Sequence, residues 1–196
     1  MGLSERYLVR RLRRGDREAC RELVRRYHHG VYGYLRRLGA DRSLAEDLTQ
    51  ETYAKAWRRI ETLRRSASLR SWLLTIARNE YLQWARVERP EVAAIDEGRE
   101  EEDDGTAGAE SDLLLSERDR AVRSAVSLLD PVLRETVALH YFQDLSLREV
   151  GEVQGIPAGT VKSRVNRALG RLRELLEPKE AEHEKERAGE ALAGDS

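Results

Sequence analysis

The chain has 196 residues, 40% of them hydrophobic, 36% charged and 6% aromatic, with a formal net charge of −1. This composition fits one or two small helical domains, and no apolar run approaches the roughly 20 residues of a membrane-spanning helix. The single cysteine, Cys20, excludes an internal disulfide and a cysteine-based zinc cluster, so we expect a cytoplasmic protein without membrane insertion.

The first predicted elements are two helices separated by a short turn. Residues 4–14 predict a short basic helix that ends near Gly15. Asp16 is a plausible N-cap for a long helix that runs to about Leu38 and is closed by Gly39.

Two further helices follow, with a polar loop between them. Ser43 and Glu46 have the spacing of a capping box, which predicts a helix from there to about Ile60. Residues 61–68 predict a polar loop. The next helix, 69–87, is indicated by apolar residues at steps of three and four: Trp72, Leu73, Ile76, Ala77, Tyr81 and Trp84.

The charge changes abruptly after this point. Residues 1–89 carry 21 Lys and Arg against 11 Asp and Glu, whereas residues 90–119 carry 2 against 12. Because residues 90–111 combine high charge with no apolar periodicity, we predict a flexible acidic linker there. The sequence thus predicts a basic, polyanion-binding domain at 1–89 followed by a linker.

The second half predicts another helical domain, at 112–177, and a disordered tail at 178–196. One helix is expected at about 112–128. Asp130 followed by Pro131 has the pattern of an N-cap and a first helical residue, which predicts a helix to Phe142. The expected fold class is therefore all-α, with two small helical domains joined by the linker.

The last part of this domain has the layout of a helix-turn-helix. Ser146 and Glu149 form a capping box, and Gly155 with Pro157 ends the first helix and starts the second. In the second helix the apolar residues fall on one stripe: Val161, Val165, Leu169, Leu172 and Leu176. The opposite face mixes basic, hydroxyl and amide side chains that suit phosphates and base edges. An amphipathic hairpin with a basic solvated face is the alternative.

Asp47 and Glu51 lie four residues apart on one helical face, with Gln50 beside them. This pair is compatible with a metal or acid-base site of a nuclease, but no histidine accompanies it on this segment. A docking surface for a partner protein is the preferred interpretation.

These segments together resemble bacterial sigma factors, the promoter-specificity subunits of RNA polymerase. Residues 41–59 are similar to the family's Asp-Leu-x-Gln-Glu-x-aromatic…Ala-Trp segment, and residues 69–86 to its Trp-Leu-x-x-Ile-Ala-Arg-Asn helix. Residues 145–173 resemble the last sigma domain, with its Gly-Ile-Pro-x-Gly-Thr-Val-Lys-Ser-Arg core. The short chain and single acidic linker resemble the extracytoplasmic-function group.

The resemblance implies three sets of site residues. Asp47, Gln50 and Glu51 would dock on the clamp helices of the polymerase's largest subunit. The minus-ten element would be captured and melted by Arg64, Arg65, Ser66, Ser68, Trp72, Arg78 and Asn79. The minus-35 element would be read by Thr160, Lys162, Ser163, Asn166, Arg167 and Arg171.

The resemblance also implies a set of binding partners and a protein without catalytic activity. The expected partners are core RNA polymerase, through its clamp helices and flap, promoter DNA and a separate anti-sigma factor, with the free protein a monomer. No catalytic residue, metal or cofactor is expected. A dimeric helix-turn-helix regulator of duplex DNA remains the main alternative, because the resemblance is only moderately specific for that motif alone.

Overall fold

The computed structural model describes residues 3–63, 68–88 and 117–176, and all regular structure in these ranges is helical, which confirms the predicted all-α class. The predicted linker and tail, and residues 112–116 of a predicted helix, lie outside the described residues. The helices are α1 (Leu3–Arg13), α2 (Arg17–Arg37), α3 (Arg42–Arg59), α4 (Leu69–Glu88), α5 (Glu117–Ser127), α6 (Pro131–Val137), α7 (Leu147–Gln154) and α8 (Ala158–Leu176).

Helices α1–α4 form the N-terminal domain, in which α2 and α4 both pack against α3. The predicted N-cap of α2 is confirmed, because the Asp16 carboxylate accepts hydrogen bonds from the amides of Glu18 and Ala19. Tyr34 and Leu73 are among the fully buried residues at the centre of this domain. Trp72 and Trp84, expected on the apolar face of α4, are half-buried and pack against this core.

The start of α3 differs from the predicted capping box. Asp41 is the N-cap, and its carboxylate accepts a hydrogen bond of 2.9 Å from the amide of Leu44. Ser43 therefore lies in the first turn, as α3 begins at Arg42. Aspartate caps a helix as well as serine does, and here it comes first along the chain.

Helices α5–α8 form the C-terminal domain. The predicted capping box of α7 is present: the Glu149 amide donates to the Ser146 hydroxyl, and the Ser146 amide donates to the Glu149 carboxylate at 3.0 Å. Gly155 ends α7 with φ +72°, a left-handed conformation that glycine adopts at no steric cost. The predicted helix to Phe142 is instead an α-helix to Val137 followed by a π-helical turn.

The buried stripe of α8 is shorter than the sequence predicts. Val161 and Val165 are buried, whereas Leu169 and Leu176 are each 39% exposed. Helix α8 has 19 residues and its helix-turn-helix partner α7 has 8, so α7 cannot cover α8 to its end.

The two domains pack against each other and share one hydrophobic core. Helix α4 contacts α7, and α2 contacts the π-helical turn at Ala138–Phe142. Leu139 and Val150 belong to the same buried cluster as Leu35. The sequence of the acidic linker did not predict that the two domains would be in contact. We call this relative position of the domains the closed arrangement.

Among the helices of the described ranges, none combines the length and the apolarity that a bilayer crossing requires.

The tightest backbone approach in the helix-turn-helix is at Gly151, where an added Cβ would lie 2.6 Å from the carbonyl oxygen of Ile156. We expect Gly151→Ala to destabilise the chain by about 2 kcal/mol, since overpacking against fixed backbone costs on the order of 1–3 kcal/mol. Gly159→Ala is the matched control, because its Cβ meets nothing within 4 Å. Urea unfolding followed by circular dichroism tests this, and equal midpoints for the two variants would contradict it.

Candidate nucleic-acid interface

Helix α8 presents an exposed polar face made of all six residues predicted to contact the minus-35 element. The residues are Thr160, Lys162, Ser163, Asn166, Arg167 and Arg171. This face is turned outwards because Val161, Val165 and Ala168 are buried on the other side of the helix. Cationic, hydroxyl and amide groups on one exposed helix can bond both phosphates and base edges.

Two of these side chains have neighbours that limit what they can bind. The backbone amide of Thr160 donates to the carbonyl of Pro157 at 2.9 Å, so only its hydroxyl is left for a phosphate. Arg171 lies 2.8 Å from Glu174, and both side chains are more than half exposed. Exposed ion pairs of this kind contribute about 0–1 kcal/mol, so a phosphate can replace Glu174 at little cost.

The predicted docking residues lie on the outer face of α3. Asp47 and Gln50 are exposed. Glu51 is half-exposed and forms ion pairs with Arg58 at 2.9 Å and with Lys55 at 4.0 Å. These two cations already occupy the carboxylate that the nuclease interpretation would use for a metal.

A shallow groove adjoins this face between α2 and α3. It is lined by His28, Tyr32, Glu46 and Gln50, with the rings of His28 and Tyr32 stacked at a centroid distance of 6.1 Å. The groove brings aromatic surface to an otherwise polar face. A docking surface that combines aromatic and polar side chains is typical of protein–protein contacts.

The residues predicted for the minus-ten element are only partly accessible. Asn79 is exposed and Trp72 is half-buried, while Arg64, Arg65 and Ser66 lie outside the described residues. The Ser68 hydroxyl accepts a hydrogen bond from the Ser71 amide at 3.0 Å. The Ser68 hydroxyl thus caps the first turn of α4, and its contact with the minus-ten element stays a prediction.

Arg78 differs most from its predicted role. It is only 8% exposed, and its Nε donates to the Glu135 carboxylate of the C-terminal domain at 2.8 Å. Glu135 supplies a buried counter-charge for Arg78 in the closed arrangement, so contact of Arg78 with DNA stays a prediction that requires the two side chains to separate.

Glu135 is the centre of a buried network that joins the domains. One of its oxygens accepts hydrogen bonds from the Tyr34 hydroxyl at 2.7 Å and from Arg78, and the other accepts one from the Gln154 amide at 3.0 Å. Burial, and then the adjacent Glu135 carboxylate, raise the pKa of Tyr34 well above its usual value. Tyr34 therefore stabilises the closed arrangement fully below pH 10, its ordinary pKa, and ceases to do so as pH rises above its raised value.

Further contacts cross the same interface. Arg70 Nη1 donates to the carbonyl of Gln143 at 2.8 Å, and the Gln143 side-chain amide donates to the carbonyl of Gly30 at 3.0 Å. The Arg37 guanidinium lies 4.1 Å from the centre of the Phe142 ring. Burial lowers the pKa of Arg37.

Sequence reasoning missed Glu135, Gln154 and Gln143. One signal was available: Glu135 lies four residues before the buried Leu139, so it falls on the apolar stripe of its helix. A charged residue in that position calls for a buried partner. Nothing in the sequence indicated that the partner would be Arg78, 57 residues away.

Replacing Glu135 by glutamine should cost about 3 kcal/mol of stability, because it removes the carboxylate charge that the buried Arg78 guanidinium binds. The loss is expected to appear first as separation of the domains, which lets water reach Arg78. Tyr34→Phe is the control, as it removes one hydrogen bond at about 1 kcal/mol. Small-angle scattering measures the separation of the domains, and urea unfolding measures the loss of stability. Equal radii of gyration and equal losses of stability for the two variants would refute the role assigned to Glu135.

Comparison with known families agrees with this division of the chain. The family model for sigma-70 region 2 matches residues 23–90, and that for sigma-70 region 4 matches residues 125–174. The first match covers α3 and α4 with most of α2, and the second covers α6–α8 with the last residues of α5.

Two curated relatives match this chain along nearly their whole length. The ECF RNA polymerase sigma-E factor of Haemophilus influenzae is 34% identical over 90% of this chain and 95% of its own. The RNA polymerase sigma-H factor of Pseudomonas aeruginosa is 32% identical over 89% of this chain and 95% of its own.

Two solved structures have a similar fold. The sigma factor RpoE of Bartonella quintana, in complex with the anti-sigma factor NepR, is 28% identical with a TM-score of 0.62, over 81% of this chain and 96% of that one. CnrH, in complex with the cytosolic domain of CnrY, also has a TM-score of 0.62, at 23% identity over 87% of this chain and 96% of that one.

Proposed function

Because the chain belongs to the ECF sigma factors of the sigma-70 family, we propose that it directs core RNA polymerase to promoters through the three surfaces described above. The protein carries out no chemistry itself; it supplies promoter specificity for transcription initiation. The observation that carries the proposal is the exposed α8 face, which holds all six minus-35 residues in a helix-turn-helix.

The α3 face would dock on the clamp helices of the largest polymerase subunit. Asp47 and Gln50 are exposed and free to meet a basic partner helix, and the groove lined by His28 and Tyr32 adds apolar area beside them. Charged groups at the rim of such an interface fix its register and raise the association rate. The C-terminal domain would contact the polymerase flap.

The α8 face would lie in the major groove of the minus-35 element. Lys162, Ser163, Asn166 and Arg167 would read bases, while Arg171 and the Thr160 hydroxyl would hold phosphates. Each such phosphate contact makes binding weaker as salt rises. One domain on its own should therefore bind DNA weakly, and the linked pair more strongly.

The minus-ten element would be bound by α4 and the preceding loop after the domains separate. Arg78 has to leave Glu135 before its guanidinium can reach DNA, since the two side chains are buried together. Asn79 is exposed without any such change. We infer that the closed arrangement is the storage form and that promoter engagement requires a more open one.

An anti-sigma factor is the proposed regulator. The RpoE and CnrH structures similar to this one were solved as complexes, of RpoE with an anti-sigma factor and of CnrH with the cytosolic domain of CnrY. A partner that binds this chain in its closed arrangement would keep Arg78 on Glu135 and so keep α4 from DNA. No observation favours the dimeric regulator or the nuclease as a second candidate.

Run-off transcription tests the proposal directly. Purified core polymerase from the source organism would be incubated with genomic promoter fragments, with and without this protein. Transcripts from a defined subset of fragments only in its presence would support the proposal and identify a promoter for further work. Intact duplex binding without core binding or initiation would overturn it in favour of the regulator.

Charge reversal at the docking face should weaken assembly with core polymerase. Asp47→Lys is expected to raise the Kd for core by about tenfold, or about 1.4 kcal/mol, by placing a cation against a basic partner. Glu88→Lys, an exposed site at the end of α4, makes the same charge change elsewhere. Fluorescence anisotropy of labelled protein gives both values, and equal losses would exclude Asp47 from the interface.

Truncation of Arg167 should relax promoter selection at one position of the minus-35 element. A bidentate arginine–base contact contributes about 1–3 kcal/mol of discrimination, so Arg167→Ala should lose roughly that preference. Arg173→Ala is the control, since Arg173 is exposed near the end of the same helix. Transcription from single-base promoter variants measures the preference, and an unchanged preference in Arg167→Ala would contradict base contact.

A further inference from the structure

Helix α1 carries an exposed basic face that the surfaces proposed above do not use. The sigma-70 region 2 model begins at residue 23, after α1 has ended. Residues 3–14 contain five arginines and one acidic residue, Glu5. Leu8, Val9 and Leu12 are buried, while Arg6 and Arg10, which lie four residues apart on one face of α1, and Arg14, in the turn after α1, are exposed.

The acidic groups around α1 are already paired with other residues. Arg11 binds Asp16 at 2.7 Å and Glu22 at 3.3 Å, and the Glu5 carboxylate accepts a hydrogen bond from Tyr27 at 2.8 Å. Within the described ranges, Arg6, Arg10 and Arg14 form no ion pair with a carboxylate. Their charge is thus uncompensated within that part of the molecule.

An exposed aromatic ring lies among these arginines. Tyr7 is 55% exposed, and the guanidinium groups of Arg10 and Arg11 lie 5.4 Å and 5.8 Å from its ring centre. Cations that track a phosphate backbone beside an aromatic ring that can stack on a base are the usual elements of a single-strand-binding surface.

Contacts to Glu61 and Leu63, in the segment that leads to α4, fix the position of α1. Arg13 Nη2 donates to the carbonyl of Leu63 at 2.7 Å, and Arg13 Nε lies 3.6 Å from Glu61. Leu63 is the last described residue before 64–67, the segment that holds Arg64, Arg65 and Ser66 of the proposed minus-ten residues. The basic face of α1 is therefore anchored beside the point where the opened strand would pass.

We propose that Arg6, Arg10 and Arg14, with Tyr7, bind the sugar-phosphate backbone of the opened promoter strand next to the minus-ten element. This inference rests on the proposed sigma function and extends its DNA surface beyond the region 2 match. The arginines supply charge to phosphates and carry no base specificity. Tyr7 offers a ring on which any base can stack.

The test compares holoenzymes on one promoter, selected by the wild-type protein in run-off transcription. The Kd for promoter DNA is measured over a range of salt for wild type, R6Q/R10Q, R6K/R10K and R21Q/R25Q. The last variant removes the same charge from exposed arginines of α2 and is the matched control. Circular dichroism and assembly with core polymerase are measured for each variant.

R6Q/R10Q should lower the slope of log K against log salt by about 1.4, because each contact to a single strand contributes about 0.7. Since this contribution vanishes near 1 M salt, binding at about 0.1 M should weaken by about 25-fold. R6K/R10K should keep the wild-type slope, and R21Q/R25Q should change it by less than half as much as R6Q/R10Q.

Two results would overturn the proposal. One is a slope for R6Q/R10Q equal to that of R21Q/R25Q. The other is a loss of assembly with core polymerase in R6Q/R10Q without DNA, which would assign the face to an acidic polymerase surface. Failure of the proposed function is distinguishable from both, because the wild-type protein would then start no transcription.

Discussion

The closed arrangement depends on one buried carboxylate. Glu135 is 5% exposed, a position in which an unpaired charge would cost several kcal/mol. Tyr34 and Arg78, from two different helices of the N-terminal domain, and Gln154 from the helix-turn-helix all donate to it. Because its donors come from both domains, the complete network forms only when the domains are in contact. The network thus favours one relative position of the domains.

This constraint divides the functional surfaces into two groups. The α8 face and the α3 residues Asp47 and Gln50 are exposed in the closed arrangement and need no rearrangement to meet a partner. Arg78 on α4 is buried against the C-terminal domain, where its Nε donates to the Glu135 carboxylate. Arg78, one of the residues proposed for the melted strand, is therefore covered by the C-terminal domain, whereas Asn79 is exposed. Binding of duplex DNA by the α8 face therefore needs no domain separation, whereas binding of the melted strand by Arg78 does.

The sequence predicted local features well, because their causes lie within a few residues. The N-cap at Asp16, the capping box at Ser146 and the left-handed Gly155 each follow from side chains or backbone freedom at that position. The shift of the α3 start to Asp41 shows the limit of such signals where two capping residues compete. The domain contact was not predictable in this way, since Gln143 and Gly30 are 113 residues apart and the acidic linker between them carries no packing pattern. Burial of Arg78 followed from that contact and not from its own helix.

The division between exposed and buried functional surfaces also limits which partners can separate the domains. A ligand shifts an equilibrium between two arrangements only by its difference in affinity for them. A partner that touches Asp47 and Gln50 alone meets the same surface in both arrangements, so its binding does not separate the domains. Moving the population from 1:99 to 99:1 takes about 5.5 kcal/mol of differential binding. That difference has to come from contacts made only when the domains are apart: DNA bound by Arg78, or a polymerase that binds both domains at a spacing longer than the closed one.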